Sequence, residues 1–170
     1  RDGESSPRDF IKLALRHLEF ETESTTMLTV LRQLLTVANL YVAEQNRATE
    51  QLSLADGLWS LAQNAEAGSD AQLQFVKFFA QFARSDQQLA TVSALLSGEL
   101  KLSSLAIDTD LRWELVTALA VAGKISSELL DQELEGDNTA NGQKYHVAAV
   151  AALPDTSSKQ AMFTKLVASD

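Results

Sequence analysis

Few side chains in this sequence could do chemistry, and their spacing argues against most of the chemistry they could do. The two histidines, His17 and His146, lie far apart, and neither has a histidine or carboxylate at metal-ligand spacing. A His-Glu-x-x-His helix, which sets two imidazoles on one face around zinc, does not occur. His17 stands beside Leu18 and His146 follows Tyr145, so both read as solvent-facing or hydrogen-bonded structural residues. There are no cysteines, which excludes disulfides, thiolate metal sites and cysteine nucleophiles. The glycines are scattered singly, so no loop cradles phosphate, and Gly-x-Ser-x-Gly is missing.

Two carboxylate groupings remain, Asp108/Asp110 and Glu133/Glu135/Asp137. Paired carboxylates can divide acid and base roles. Asp108 and Asp110, however, stand where a helix begins, so capping and helix-dipole compensation explain them better. The second grouping reads as a solvated helix face. Five acidic residues and no basic one fall between Glu128 and Asp137. If that face lined a concave surface it would attract peptides carrying Lys or Arg, which makes Glu133 and Glu135 substrate-binding candidates. Arg112 is the third candidate, as a bidentate donor to a peptide's C-terminal carboxylate. The preferred reading of Arg112 is structural: a buried ion pair with Asp137 or Asp108 that holds two helix pairs together. Losing it would then cost ~3–5 kcal/mol. Trp113 reads as core packing on the helix face opposite Leu111 and Leu115. The structural set is therefore Asp108, Asp110, Arg112, Trp113 and Asp137, and no residue is assigned a catalytic or metal-binding role.

The elements that position these residues are helical throughout. With 170 residues the chain has the size of one domain and can bury roughly 70% of its unfolded surface. Two prolines and seven glycines leave few helix breaks. Ser6-Pro7 opens a first helix, with Phe10, Leu13, Ala14 and Leu18 as its apolar stripe. A short polar break, Glu21 to Ser24, precedes a second helix from about Thr25 to Ala43. Leu28, Leu31, Leu35, Ala38 and Val42 make one of its faces, and Met27, Val30, Leu34 and Tyr41 widen it. So broad a face suits a helix packed on two sides. A third helix covers about Arg47 to Asn64, and Ser69-Asp70-Ala71-Gln72 is a capping-box start for a fourth. Phe75, Phe78, Phe79 and Phe82 in that fourth helix have the spacing of a packed core stripe. Asp86 caps a fifth helix running to about Ser97 and closed by Gly98, and Leu100 to Ile107 is a connection. Asp110 to Ala122 is the sixth, stopped by Gly123. Ser126 or Ser127 opens a seventh through Glu135, Asn138 or Thr139 an eighth to Leu153, and Pro154-Asp155 a ninth.

About nine helices in antiparallel pairs, with no period-two segment, define an all-α fold. A HEAT- or armadillo-like α-α superhelix over residues 1–170 is preferred to a compact irregular bundle. The net charge of −9 argues against general affinity for nucleic acid or anionic membrane. Met27 to Val42 is too polar to span a bilayer, and the N-terminus has no signal-peptide pattern, which points to the cytoplasm. The chain opens on Arg1 and stops after a helical run, as a piece of a longer polypeptide would.

One stretch carries a resemblance. Leu105-Ala106-Ile107-Asp108-Thr109-Asp110-Leu111-Arg112-Trp113-Glu114-Leu115, followed by Gly123, Glu133-Leu134 and Asp137-Asn138-Thr139-Ala140-x-Gly142, resembles the C-terminal domain of bacterial aminopeptidase N. That domain is related to the corresponding one in endoplasmic-reticulum aminopeptidases. Glu21-Thr22-Glu23-Ser24, Leu40-Tyr41-Val42-Ala43, Ala55-Asp56-Gly57-Leu58-Trp59 and Ser69 to Lys77 are similar to the same family, so the likeness runs over nearly the whole chain. One departure is Met162-Phe163 after Lys159-Gln160-Ala161, where the family commonly has a tryptophan.

The resemblance implies a non-catalytic, HEAT-like helical bowl that closes over a cleft and limits access to short peptides. The zinc ion and its glutamate base would lie in an earlier domain of the same polypeptide, where zinc polarises the scissile carbonyl and activates water. The implied partners are that catalytic domain and peptide substrates. A stand-alone helical scaffold that binds another protein is the competing function, since fold alone supports both.

Overall fold

The computed structural model describes residues 5–155, 159–160, 163–164 and 167. They divide into two units: residues up to Gln88 together with Lys101–Ala106, and Leu89–Leu100 together with the chain from Ile107 onward. Among the described residues all regular structure is helical.

The first unit begins with α1 (Pro7–Leu18). Ser6 caps it, its Oγ accepting from the Asp9 amide at 3.1 Å, and Pro7 takes the first helical position, where its missing N–H costs nothing. The expected stripe is shifted: Ile11, Ala14 and Leu18 are buried, while Leu13 is 55% exposed. Both sets have helical spacing, so periodicity alone allows two registers for one helix. Next comes α2 (Ser24–Thr36), which runs into a π turn, Val37–Tyr41, closed by the Val42 amide bonding the Val37 carbonyl at 3.1 Å. Met27, Leu31, Leu34, Ala38 and Val42 face inward. The wider turn leaves Leu40 and Tyr41 outside, at 73% and 68% exposure, while α2 itself packs against both α1 and α4 (Asp70–Phe82).

The longest helix, α3 (Glu44–Asn64), starts three residues earlier than its sequence suggests and buries Leu54, Ala55, Leu58 and Ala62. Against it lies α4. All four of its phenylalanines are buried, and Phe79 meets Trp59 with ring centroids 5.0 Å apart. The aromatic stripe is core, as its spacing indicates. Two glutamines tie α3 to the starts of the next two helices. Gln72 accepts from the Gly68 amide and donates to the Ala62 carbonyl. Gln88, in the first turn of α5 (Asp86–Ser97), accepts from the Arg84 and Ser85 amides and donates to the Leu52 carbonyl and Asp56. The cap of α5 is Ser85, whose Oγ accepts from the Gln88 amide, rather than Asp86.

The second unit holds the rest of α5, then α6 (Thr109–Val121), α7 (Ser127–Gly136) and α8 (Ala140–Ala152). Asp108, Ser126 and Thr139 cap the last three. Gly123, at φ +66, ends α6 as expected, and its left-handed backbone lets the Lys124 amide turn back to the Leu119 carbonyl at 2.8 Å. α6 is buried on both faces, with Leu111 and Leu115 enclosed as well as Trp113. Its Trp113, Val116 and Ala120 form a core with Leu130 of α7 and Ala149 and Leu153 at the end of α8. The expected ninth helix falls largely outside the described residues. So does the Ala161-Met162 part of the departure from the family pattern.

Candidate functional site

The residues singled out in sequence converge on the α6–α7–α8 junction. Asp108 starts α6 by accepting from the Leu111 amide at 2.8 Å, with Asp110 in the first turn as a negative charge at the helix N-terminus. This fixes Arg112 and Trp113 as consecutive side chains. On α7 and its cap, Glu133 and Asp137 stand four residues apart, one helical turn. Each α6 residue takes one of them.

Arg112 donates from Nε and Nη2 to the two oxygens of Glu133, both at 2.5 Å, and from Nη1 to the Leu96 carbonyl at 3.3 Å. The Glu133 hydrogen bonds hold the guanidinium above its ordinary pKa, against the opposing effect of burial. The partner is thus neither Asp137 nor Asp108. Asp108 is spent on its cap, and Asp137 sits one turn beyond Glu133, where it meets Trp113. The Arg112 side chain is 42% exposed and that of Glu133 20%, so the pair is a half-exposed clamp and not the buried pair anticipated. With Nε and Nη2 held by Glu133, a peptide carboxylate could take the bidentate grip of that edge only by displacing Glu133.

Trp113 donates from Nε1 to Asp137 Oδ2 at 2.8 Å, and its ring lies near that of Tyr145, centroids 6.1 Å apart and 24° from parallel. The other oxygen of Asp137 accepts from Thr139 Oγ1 at 2.8 Å, and Thr139 Oγ1 accepts from the Gly142 amide at 3.0 Å. A Cβ on Gly142 would stand 1.9 Å from the Asp137 carbonyl oxygen, so the turn closes only around glycine. The Asp-Asn-Thr-Ala-x-Gly spacing is the chemistry of this turn. Tyr145 is pushed above its ordinary pKa, first by the charge of Asp110 and then by burial and Glu114.

The acidic run does not form one free face. Glu128 is held below its usual pKa by the Ser126 side chain, Asp131 meets His146 Nε2 at 2.8 Å, and Glu133 and Asp137 are engaged as above. Glu135 is exposed, as is His17. Among the described residues no three His, Asp or Glu side chains converge as a metal ion requires, so they do not assemble the donor set that a catalytic zinc needs. No helix among them is long and apolar enough to cross a membrane. Sequence reasoning missed Gln88, although it is buried and bonded on both its amide atoms. Its signal is Ser85-x-x-Gln88, the same spacing as Ser69-x-x-Gln72.

The marked residues of this all-helical chain thus hold α6, α7 and the start of α8 together. The family model for the ERAP1-like C-terminal domain matches residues 1–170, and the chain belongs to that family. It is 33% identical over all 170 residues to aminopeptidase N of Streptomyces lividans. The chain spans 20% of that relative's length.

Proposed function

We propose that this chain is the non-catalytic C-terminal domain of a zinc-dependent aminopeptidase of the aminopeptidase N type, and that it caps the catalytic cleft and shapes substrate access. The observation that carries this reading is the match to aminopeptidase N along every residue of the chain, at 33% identity. The geometry agrees with it. Arg112, Trp113, Glu133 and Asp137, the residues most suggestive of a site, are consumed in joining α6 to α7. In this reading the helix pairs stack in HEAT-like fashion, the partners are the catalytic domain of the same polypeptide and its peptide substrates, and the enzyme works in the cytoplasm. The zinc belongs to the preceding domain, where it would polarise the scissile carbonyl.

The test is release of the N-terminal residue from an aminoacyl p-nitroanilide. The longer polypeptide that contains this chain should release it and lose the activity to a chelator, while the 170-residue chain with added zinc should not. No release by the longer polypeptide, or release by the chain alone, would overturn the proposal.

A further inference from the structure

The sequence holds a single Asn-Gly pair, Asn141-Gly142, and it falls in the first turn of α8. Asn141 is exposed there, and Gly142 beside it is buried. The turn requires the glycine, because a Cβ at 142 would run into the Asp137 carbonyl oxygen. The same missing Cβ leaves the Gly142 nitrogen unshielded towards the side chain of Asn141, and glycine gives the backbone freedom to bring the two together. The reaction open to such a pair is intramolecular. The Gly142 nitrogen attacks Asn141 Cγ, so that a new C–N bond forms. The Cγ–Nδ2 bond breaks, and ammonia leaves with the proton that the attacking nitrogen gives up. Water then opens the resulting succinimide at either of its two C–N bonds. One opening leaves aspartate, and the other leaves isoaspartate, whose main chain runs through Cγ.

Ring closure needs a rotation about the Cα–C bond of Asn141 that takes this residue out of its helical setting. The folded turn opposes that rotation. The attacking nitrogen donates its N–H to Thr139 Oγ1 at 3.0 Å, and the next amide, of Gln143, donates to the Thr139 carbonyl at 2.9 Å. Thr139 is itself held, its hydroxyl donating to Asp137 Oδ1 at 2.8 Å, while Asp137 Oδ2 accepts from Trp113. We propose that Asn141 is a latent deamidation site, silent while Thr139 caps α8 and reactive once that cap opens. Thr139 is the positioning residue, since it fixes the nitrogen that would react. A helix end opens locally at far lower cost than the whole fold, so the chemistry reports on this junction and not on global unfolding. Isoaspartate adds a main-chain carbon at the second residue of α8, where the cap and the first helical bond must close. The change is therefore one-way. Aspartate at the same position adds a negative charge at the helix N-terminus, which the helix tolerates. None of this chemistry depends on the enzymatic reading.

Peptide mass mapping tests the proposal. Trypsin cuts after Lys124 and Lys144 and releases residues 125–144, in which the asparagines are Asn138 and Asn141 and are told apart by their fragment ions. The longer polypeptide that contains this chain is incubated at mildly alkaline pH, native and in urea, and conversion of Asn141 is followed with time. Native protein should convert at least tenfold more slowly than the same protein in urea. Native T139A should convert at least tenfold faster than native wild type, and T139S, which keeps the hydroxyl, should return to the wild-type rate. L58A, which opens a cavity in the core around α3, should leave the rate at Asn141 unchanged. Equal wild-type rates in the native and urea samples would overturn the proposal whatever the variants do. So would a T139A rate equal to that of wild type, a T139S rate equal to that of T139A, or an L58A rate raised as far as that of T139A.

Discussion

Trp113 on α6 donates its indole N–H to Asp137 at the end of α7 at 2.8 Å, and its neighbour Arg112 takes Glu133, one turn earlier on α7. Two neighbours on one helix thus grip two carboxylates on the next. Trp113 is 3% exposed, and the bond from its indole to a carboxylate is a charge-assisted one. Trp113→Phe keeps most of the ring and removes the donor, and should lower stability by about 2–3 kcal/mol. Asp137→Asn should cost less. In a double-mutant cycle by urea unfolding, the two changes should couple by about 1–2 kcal/mol. Strict additivity would mean that the bond contributes nothing.

Arg112→Ala removes a bidentate contact whose arginine is 42% exposed. The expected loss is about 1–2 kcal/mol, well under the figure for a buried pair, because solvent screens half of the interaction. Arg112→Lys should recover part of it, since an ammonium cannot donate two parallel bonds. In the longer polypeptide the Arg112→Ala variant should keep its KM for short peptides. A raised KM with unchanged unfolding midpoint would return Arg112 to substrate recognition.

Two glycines near the same junction should respond oppositely to alanine. At Gly142 the new methyl would meet the Asp137 carbonyl oxygen, and backbone must move, so Gly142→Ala should cost about 3 kcal/mol. At Gly136 nothing lies within 4 Å, so Gly136→Ala in the last turn of α7 should be neutral or stabilising by about 0.5–1 kcal/mol. Chemical denaturation of both variants checks the pair. Equal effects would show that the turn tolerates a side chain after all.

Much of this is legible in sequence, for reasons that differ element by element. Ser6-Pro7, Ser69, Asp108 and Gly123 announce helix ends because capping is local chemistry, written in adjacent residues. The Phe75–Phe82 stripe is legible as core because its spacing allows only one face. The partner of Arg112 is not, because Asp108, Glu133 and Asp137 are all carboxylates and sequence does not rank one above another. Only the packing angle of α7 on α6 decides among them. The exposure of Leu40 and Tyr41 is also hidden, because periodicity cannot show a π turn, which shifts every later residue around the helix; that of Leu13 is hidden because α1 has two registers of equal periodicity. Glu23 has the composition of a polar break and is instead the cap of α2.

That cap gives the chain an acid-sensitive helix end. Glu23 accepts from the Thr26 and Thr25 amides at 2.5 and 3.1 Å, and these bonds, that to Thr26 foremost, lower its pKa from 4.5 to about 2. A depressed carboxylate stabilises the fold fully above its unfolded value and loses that contribution as pH falls through the folded one. The Tm of the chain should therefore drop between about pH 4.5 and pH 2. Glu23→Gln should flatten part of that drop while lowering Tm at pH 7. An identical pH profile in the variant would remove Glu23 as its source.

In the proposed function this chain walls a cleft whose chemistry lies elsewhere in the polypeptide. The most direct measurement is the ratio of kcat/KM for a tetrapeptide to that for a peptide of about 20 residues sharing its N-terminus, in the longer polypeptide with and without these 170 residues. The intact protein should prefer the short peptide by at least tenfold, and that preference should collapse toward unity in the truncated one while tetrapeptide cleavage persists. A ratio unchanged by the truncation would contradict the proposed function.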